Sequence, residues 1–599
     1  MRFTTRPTLR GMHGMVSSTH WLASQSGMAE LEAGGNAFDA AVASAFVLHV
    51  VEPHMNGPGG EVPAVFARGD DSRPVVLCGQ GVAPAGATIE HYRGLGFDLV
   101  PGAGPLAATV PGAVDAWLLL LRDHGTRSLR DVLGYAHQYA RHGHPLAPAV
   151  VDVIRRVAGL FTEHWSTSAS LWLPGGTVPE PYAVFRNQAY AQTLERLVTT
   201  AESAGGDREA QIDVARETWR TGFVATAVAE FQRTPYRDSS GVDHAGLLTE
   251  EDLAGWRACY EQPAMLRFRG YDVAKTGPWG QGPVLLQALA ILSGYDDDQL
   301  DPGTADGAHL VAEALKLAFA DREAWYGDGL DTPLSTLLSP GYAETRRALI
   351  GEAASTVLRP GVPDGRQPRL PRYVADADDA DAAAPDTTAA GSLGEPTLGR
   401  YAEPRGDTCH LDVVDRWGNI ISATPSGGWL QSSPTIPELG FCLGSRAQMF
   451  WLEPGLPASL APGARPRTTL TPTLVLAGGV PVLACGSPGG DQQDQWQLLF
   501  LLRHLVGGLD MQAAIDAPHL HTTSLPSSFF PRRTDPGGLV VEDRLGVDVI
   551  GELSRRGHRV QVSGPWSLGR MCAVARDPGT RVLSAAANPR GMQGYACGR

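Results

Sequence analysis

The chain has 599 residues and a formal net charge of -15, from 64 acidic and 49 basic side chains. This acidic balance argues against a nucleic-acid binder that follows phosphates with a basic face. Hydrophobic residues make up 43% of the sequence and charged residues 19%, which is typical of a globular protein with a sizeable core. No stretch approaches the roughly 20 apolar residues of a membrane helix, so no membrane partner is expected.

The N-terminal segment and the cysteines indicate a cytoplasmic protein. MRFTTRPTLRGMHG carries positive charge but lacks an apolar run of about seven residues, so a secretory signal is not expected. The seven cysteines are scattered and form no CxxC pair, which favours reduced thiols over a zinc site or a disulfide framework. Neither a metal nor a cofactor is expected.

Helical patterns dominate the first part of the chain. Small and apolar residues from Met28 to Leu48 are interrupted at Gly34-Gly35-Asn36. Asn36 is expected to cap a helix over Ala37–Val51, with Asp39 near its positive end. Four further helices are predicted, over Ala113–Leu121, Leu129–Arg141, Ala308–Trp325 and Tyr342–Ile350.

A segment of unusual composition follows these helices. Residues 374–399 are rich in Ala, Asp, Thr and Pro and nearly free of large apolar side chains. Such a stretch buries too little surface to offset its ordering entropy, so it is predicted to be a flexible linker. Its DADDADA run lacks the Gly and the distal Glu of a calcium loop.

Hairpin patterns dominate after this linker. CHLDVVD and NIISATP, residues 409–415 and 419–425, predict two strands around a tight turn. TLVLAGGVPVLACG at 473–486 predicts a second hairpin, and a helix is expected from Gln492 to Val506. A last hairpin is predicted between 572–575 and 581–586.

Thr408 opens the first of these strands directly after the linker. On composition alone it is a β-branched strand residue. If the bond after Asp407 were cut, however, Thr408 would gain a free α-amino group with a pKa of about 7.7 to 8. That amine could take the proton of its own hydroxyl, so one residue would supply both nucleophile and base.

Several motifs support the interpretation of Thr408 as a nucleophile. They are LEAGGNAFDAAVASAF (31–46), NGPGGEVP (56–63), VPGAV (110–114), TCHLDVVDRWGN (408–419), RPRTTLTPT (465–473), CGSPGGDQQ (485–493) and NPRGMQGY (588–595). In this order they resemble the signatures of the γ-glutamyltranspeptidase family. The resemblance implies an α+β fold, a four-layer αββα sandwich of the N-terminal-nucleophile hydrolase type. It also implies self-cleavage into a large subunit, 1–407, and a small subunit, 408–599, which stay together as a heterodimer; further dimerisation is left open.

The resemblance also assigns catalytic roles. Asp407 would supply the carbonyl attacked during self-cleavage, and Thr408 would be the nucleophile. Ser426 resembles the hydroxyl residue that holds the nucleophile's amine and oxygen. Gly489 and Gly490 resemble the oxyanion hole, a role that suits glycine because it lets backbone N–H groups approach the oxyanion closely.

The substrate pocket departs from the family pattern. Thr468-Thr469 replaces a Ser-Ser pair that grips the substrate carboxylate, so the hydroxyls are kept. Alignment places Ile89 where the family has an Arg for the carboxylate, and Met449 where it has an Asp for the ammonium group. Gly428 stands in place of an orienting Asn. Each lost charge-assisted hydrogen bond forfeits about 1.5–3 kcal/mol, so glutathione is not the expected substrate.

Apolar and aromatic side chains are the candidates for the altered pocket, with core packing as the equal alternative: Ile89, Trp429, Met449, Phe450 and Trp451. Glu61 and Arg446 are candidate polar anchors, or else members of a structural ion pair. These changes resemble acylase-type members of the family.

The leading functional hypothesis is therefore an N-terminal-threonine amidohydrolase that acts on a small molecule with a non-γ-glutamyl acyl group, such as an oxalyl-type or dicarboxylic monoamide. Hydrolytic carbon–carbon cleavage beside a keto group is the first alternative, because an oxyanion hole serves both reactions. γ-Glutamyl hydrolysis or transfer and an uncleaved binding homologue are the others.

Overall fold

The computed structural model describes residues 3–329, 331–375, 408–592 and 594–599, together with the backbone of 395–396 and 405–406. Asp407 and most of the predicted linker 374–399 lie outside the described residues. The flexibility of that linker therefore stays a prediction.

Two seven-stranded antiparallel sheets form the centre of the molecule. The first sheet has the strand order Leu9–Gly11, Leu583–Ala587, Cys572–Arg576, Val480–Gly486, Thr473–Ala477, Tyr271–Lys275 and Ala264–Phe268. The second sheet has the order Tyr595–Gly598, Gly14–Ser18, Leu411–Asp415, Ile420–Ala423, Val62–Ala67, Val75–Gly79 and Cys259–Glu261. All three predicted hairpins are confirmed, because their strands are neighbours in these sheets.

The two sheets pack face to face, and helices cover both outer faces. The layer between the sheets is apolar and includes Met15, Val65, Val414, Leu474, Ala484 and Val574. The outer face of the second sheet is covered by Trp21–Glu32, Ala37–Val51, Ala113–His124, Leu129–His142, Gln188–Ala204, Arg208–Thr221 and Phe223–Gln232. The outer face of the first sheet is covered by Pro283–Leu292, Ala305–Trp325, Gln493–Leu501 and Met511–Asp516. The α+β, four-layer αββα sandwich is therefore confirmed.

Shorter elements surround this sandwich. A three-stranded sheet is formed by Leu520–Thr522, Gly538–Glu542 and Arg559–Ser563. Two-residue strand pairs lie at His144–Pro145 with Val184–Phe185, and at Tyr236–Arg237 with Asp243–His244. The other helices are Ile89–Gly94, Pro148–Glu163, Ser166–Trp172, Glu250–Gly255, Leu334–Leu337, Pro340–Arg347, Arg372–Ala375 and Val547–Arg555. Within the described part of the chain, no helix combines the length and apolar character needed to cross a bilayer.

The helix Ala37–Val51 shows how local sequence positions the centre of the fold. The Asn36 side chain accepts hydrogen bonds from the backbone of Phe38 and Asp39 at 2.9 and 3.1 Å, and Asp39 accepts from the Asn36 backbone. This is the predicted cap, and it closes a full capping box. The Ala37 N–H also donates to Asp415 at 2.9 Å, which fixes this helix to the end of strand Leu411–Asp415.

One helix prediction needs correction. The helix expected from Gln492 to Val506 runs as an α-helix only over Gln493–Leu501 and continues as a wider π-turn over Leu502–Val506. Apolar spacing does not separate an α-helix from such a turn, since both can bury the same side chains.

Candidate active site

Thr408 lies just before strand Leu411–Asp415, in the middle of the second sheet, and its exposed fraction is 0%. Its hydroxyl contacts Ser426 and Gln493. The Oγ1 atom is 3.2 Å from Ser426 Oγ, and it accepts a hydrogen bond from Gln493 Nε2 at 3.4 Å. Gln493 begins the helix that follows the predicted oxyanion loop. The contact therefore brings that loop next to the predicted nucleophile.

Ser426 is fixed through both its backbone and its side chain. Its backbone exchanges two hydrogen bonds with Glu61, at 2.9 and 3.0 Å. Its hydroxyl accepts from Arg446 Nη2 at 3.0 Å. Because a serine hydroxyl has one donor and two acceptor positions, Ser426 can receive the Arg446 bond and still donate to Thr408 Oγ1.

Glu61 and Arg446, the two candidate polar anchors, bind each other. Arg446 Nε donates to Glu61 Oε1 at 2.6 Å, and both side chains are at most 2% exposed. Burial raises the pKa of the Glu61 carboxyl, and the Arg446 guanidinium opposes that rise. Arg446 also lies over the ring of Trp429, 5.5 Å from its centroid. The geometry therefore gives a buried ion pair that reaches Thr408 through Ser426.

The glycine loop has backbone angles that few other residues adopt. Gly489 has φ 124° and Gly490 has φ 56°. A Cβ on Gly489 would lie 2.4 Å from the ring of Trp496. Asp491, which follows Gly490, fixes the end of the loop because its carboxylate accepts a hydrogen bond from the Ser528 backbone N–H at 2.8 Å. The loop is thus anchored in a conformation that requires glycine at 489.

Replacing Gly489 with alanine is expected to lower kcat about 10²–10³-fold, the loss typical of a damaged oxyanion hole. The added methyl group would meet Trp496 and would not fit φ 124°. Steady-state kinetics of the variant would test this. Gly479→Ala is the matched control, because Gly479 also has positive φ, at 81°, but no atom lies within 4 Å of its Cβ position. Equal kcat values for the two variants would contradict the role of the loop.

Thr468 and Thr469 are buried, with exposed fractions of 0% and 1%. The Thr468 N–H donates to the Trp279 carbonyl at 3.1 Å, and Thr468 pairs with Gly280 in a short bridge. The position of the two threonines is therefore set by the loop before helix Pro283–Leu292.

The other pocket candidates separate into two groups. Met449 and Trp429 contact Arg446, Met449 through its sulfur atom at 3.8 Å. Gly428 has φ 66°, and a Cβ there would lie 2.9 Å from the Gly60 nitrogen. Ile89 packs against the hydrophobic cluster that contains Phe450. Trp451 packs in another cluster, and the Arg532 guanidinium lies 3.9 Å from its ring centroid. Ile89, Phe450 and Trp451 thus have packing contacts, and their role in substrate binding stays a prediction.

Sequence reasoning did not single out His410 and Asp412. Val414 faces the layer between the sheets, and side chains alternate along a strand, so His410 and Asp412 face the same layer. His410 Nε2 is 2.9 Å from Asp412, and Nδ1 is 3.0 Å from Thr424 Oγ1. Burial raises the pKa of Asp412, and His410 opposes that rise. The sequence signal for His410 and Asp412 is a polar side chain at an inward-facing position of an apolar strand. Gln493 lies in the motif CGSPGGDQQ, but its contact with Thr408 was not predicted.

Several known proteins are similar to this chain over nearly its whole length. It is 31% identical over 590 residues to the acylase ACY 1 proenzyme of Pseudomonas sp. (strain SE83), covering 96% of this chain and 92% of the relative. It is 28% identical over 582 residues to the glutathione hydrolase proenzyme of Bacillus subtilis subsp. natto, covering 95% and 88%.

Solved structures are similar to this chain as well. LmbA2991HD superimposes with a TM-score of 0.92 at 58% identity, covering 100% of both chains. The cephalosporin acylase from Bacillus halodurans gives a TM-score of 0.81 at 29% identity, covering 100% of this chain and 97% of the other.

The αββα layers and these similarities make the protein an enzyme of the N-terminal-nucleophile hydrolase class. The family model described as Gamma-glutamyltranspeptidase matches residues 23–598. The chain belongs to that family, and the resemblance in its motifs is confirmed.

Proposed function

We propose that the chain is a proenzyme that cleaves itself between Asp407 and Thr408 and then hydrolyses an amide with a non-γ-glutamyl acyl group. The fragments 1–407 and 408–599 would remain together as a heterodimer. The central strand Leu411–Asp415 supports this, because it pairs on one side with Gly14–Ser18 of the large fragment. Separation of the fragments would break the second sheet.

The contacts of Thr408 support a covalent mechanism. After cleavage, its α-amine would take the proton of Oγ1, and Oγ1 would attack the substrate carbonyl. The Gly489 and Gly490 N–H groups would stabilise the tetrahedral oxyanion. Collapse would release the amine and leave an acyl group on Thr408, which water would then remove.

Turnover would require cleavage first. In the continuous chain the Thr408 nitrogen is an amide, which cannot take the proton of Oγ1. Thr408 also has no exposed surface in the continuous chain. Cutting the bond before Thr408 would create the α-amine that acts as the base.

The Glu61–Arg446 pair is the observation that carries the substrate assignment. A γ-glutamyl group has a free ammonium and a free carboxylate, and each needs an opposite charge in the pocket. Glu61 and Arg446 neutralise each other beside Ser426, and Met449 next to them has no charge. The site therefore favours an acyl group without an amino acid head.

The first test is the intact mass of each band on a denaturing gel, followed by assays on the processed protein. A small fragment starting at Thr408 would support the proenzyme, whereas one uncut inactive chain would favour a binding homologue. A panel of acyl amides, γ-glutamyl amides and α-keto acids would then identify the bond. Faster turnover of γ-glutamyl amides than of all other amides would refute the substrate assignment. Products from carbon–carbon cleavage alone would favour that alternative.

Restoring the family charges is expected to restore γ-glutamyl turnover. In Ile89→Arg/Met449→Asp the new carboxylate would lie beside Arg446, at the place of the Met449 sulfur. The rate of γ-glutamyl amide hydrolysis should rise above that of the parent protein, measured as kcat/KM. Ile89→Lys/Met449→Leu is the control, because it keeps the added cation without the carboxylate. A folded, processed double variant with no increase would contradict the pocket alignment.

A further inference from the structure

Two cysteines face each other across the edge of the second sheet, outside the site described above. Cys78 on strand Val75–Gly79 and Cys259 on the edge strand Cys259–Glu261 are register partners in an antiparallel ladder. Direct partners of this kind have Cα atoms about 4.5–5.5 Å apart, within the range that a disulfide spans. The two sulfur atoms and a Glu261 carboxylate oxygen all lie within 4.8 Å of one another.

The two thiols have different environments. Cys78 is 2% exposed, whereas Cys259 is exposed to solvent. A hydrogen bond from the Cys78 thiol lowers the pKa of Cys259 to about 7. The same bond, together with burial, raises the pKa of Cys78. Cys259 is thus an accessible thiol that is partly thiolate at neutral pH, and Cys78 is its protonated, sheltered neighbour.

The surrounding charges favour a disulfide over a bound cation. Arg465 Nη1 donates to Cys78 Sγ at 3.2 Å and to Glu261 Oε1 at 2.5 Å. The second Glu261 oxygen accepts from Trp279 Nε1 at 2.7 Å. The carboxylate is therefore already occupied, and a guanidinium stands where a metal ion would have to bind. The same guanidinium stabilises a thiolate.

We propose that Cys78 and Cys259 form a reversible dithiol–disulfide site that exchanges with low-molecular-weight disulfides. The Cys259 thiolate attacks one sulfur of the external disulfide, breaks its S–S bond and releases one external thiolate. The Cys78 thiol then loses its proton and attacks the Cys259 sulfur, which releases the second external thiolate. The two protein thiols are oxidised, and the external disulfide is reduced to two thiols that carry the protons.

A chain of contacts connects this cysteine pair to the predicted substrate pocket. Arg465 lies over the Trp279 ring, 4.8 Å from its centroid, and the Trp279 carbonyl accepts from the Thr468 backbone at 3.1 Å. Formation of the S–S bond draws the sulfurs to about 2.05 Å and moves Cys78 Sγ relative to Arg465. We expect this to change KM through Thr468, a consequence that rests on the proposed function.

The test uses the full chain and bis(2-hydroxyethyl) disulfide, which has no amide bond for the enzyme to cleave. Titration of the denatured protein should show a loss of two of the seven thiols, and intact mass should fall by two hydrogen atoms. Peptide mapping should join Cys78 to Cys259. The initial rate should rise with pH through about 7 and then level off, because the thiolate population of Cys259 does so.

Three variants control the experiment. Cys259→Ser should lose no thiol, and Cys78→Ser should stop at a mixed disulfide on Cys259. Cys597→Ser, which removes another partly exposed thiol, should still lose two. The proposal is overturned if the parent protein keeps all seven thiols, stops at a mixed disulfide, or joins another pair. Zinc bound by the parent but not by Cys259→Ser, without disulfide formation, would overturn it in favour of a metal site.

Thiol counts and masses need no substrate, so they remain valid if the proposed activity is wrong. With a substrate in hand, full oxidation should change the KM of the parent about fivefold or more and leave that of Cys259→Ser unchanged. An unchanged parent KM after complete oxidation would overturn the link to Thr468.

Discussion

Thr408→Ala is expected to remain one uncut chain of 599 residues and to lose turnover on the order of a millionfold, as on loss of a covalent nucleophile. Without Oγ1 nothing attacks the preceding carbonyl, so the α-amine is never freed and no acyl-enzyme forms. Gel analysis and intact mass would show the missing cleavage, and the substrate panel would show the missing turnover.

The fold should survive this change. Thr408 is fully buried, but the change removes only two heavy atoms, Oγ1 and Cγ2, and the strand ladder that begins at Leu411 stays intact. Thr408→Ser is the control, because it keeps the hydroxyl and should be cut and active at a reduced rate. A cut and active Thr408→Ala protein would refute the assignment of the nucleophile.

Local features of the fold could be predicted from sequence because their physics is local. The Asn36 cap and the tight turn after Asp415 depend on residues only a few positions apart. The place of Thr408 at the start of a buried strand also followed from its neighbours, together with the family motifs. The predicted ends of helices were less reliable than their existence, as the π-turn at Leu502–Val506 shows.

Contacts between distant segments could not be predicted in the same way. Glu61 and Arg446 are 385 residues apart, and nothing near either residue indicates the partner. Cys78 and Cys259 lie opposite each other only because strand Cys259–Glu261 pairs with strand Val75–Gly79 at the edge of the sheet. Both pairings are consequences of sheet order, which periodicity and spacing do not determine. The sequence therefore named Glu61 and Arg446 as candidates, whereas the pairing of Glu61 with Arg446 and of Cys78 with Cys259 is known only from the structure.

Arg446→Met is expected to lower the free energy of unfolding by about 3–5 kcal/mol, because it leaves Glu61 as an unpaired charge in a buried site. Self-cleavage should slow as well, since Ser426 Oγ loses its hydrogen bond from Arg446. Urea unfolding and the rate of precursor cleavage would measure the two effects. Arg155→Met is the matched control: it breaks an ion pair with Asp152 whose side chains are 56% and 55% exposed, and should cost about 0–1 kcal/mol.

A double-mutant cycle with Glu61→Gln separates pairing from packing. If the two charges stabilise each other, Glu61→Gln/Arg446→Met should lose less stability than the two single variants together.

The pH dependence of the stability of Arg446→Met gives an independent check. Burial raises the pKa of Glu61 and Arg446 opposes it, so Arg446→Met should raise that pKa further. A carboxyl whose folded pKa exceeds its unfolded value favours folding below the unfolded pKa and loses that contribution as pH rises through the folded pKa. The free energy of unfolding of Arg446→Met should therefore rise towards that of the parent protein as pH is lowered from 8 towards about 5. If the variant is destabilised by the same amount at both pH values, Glu61 is not an unpaired charge in it.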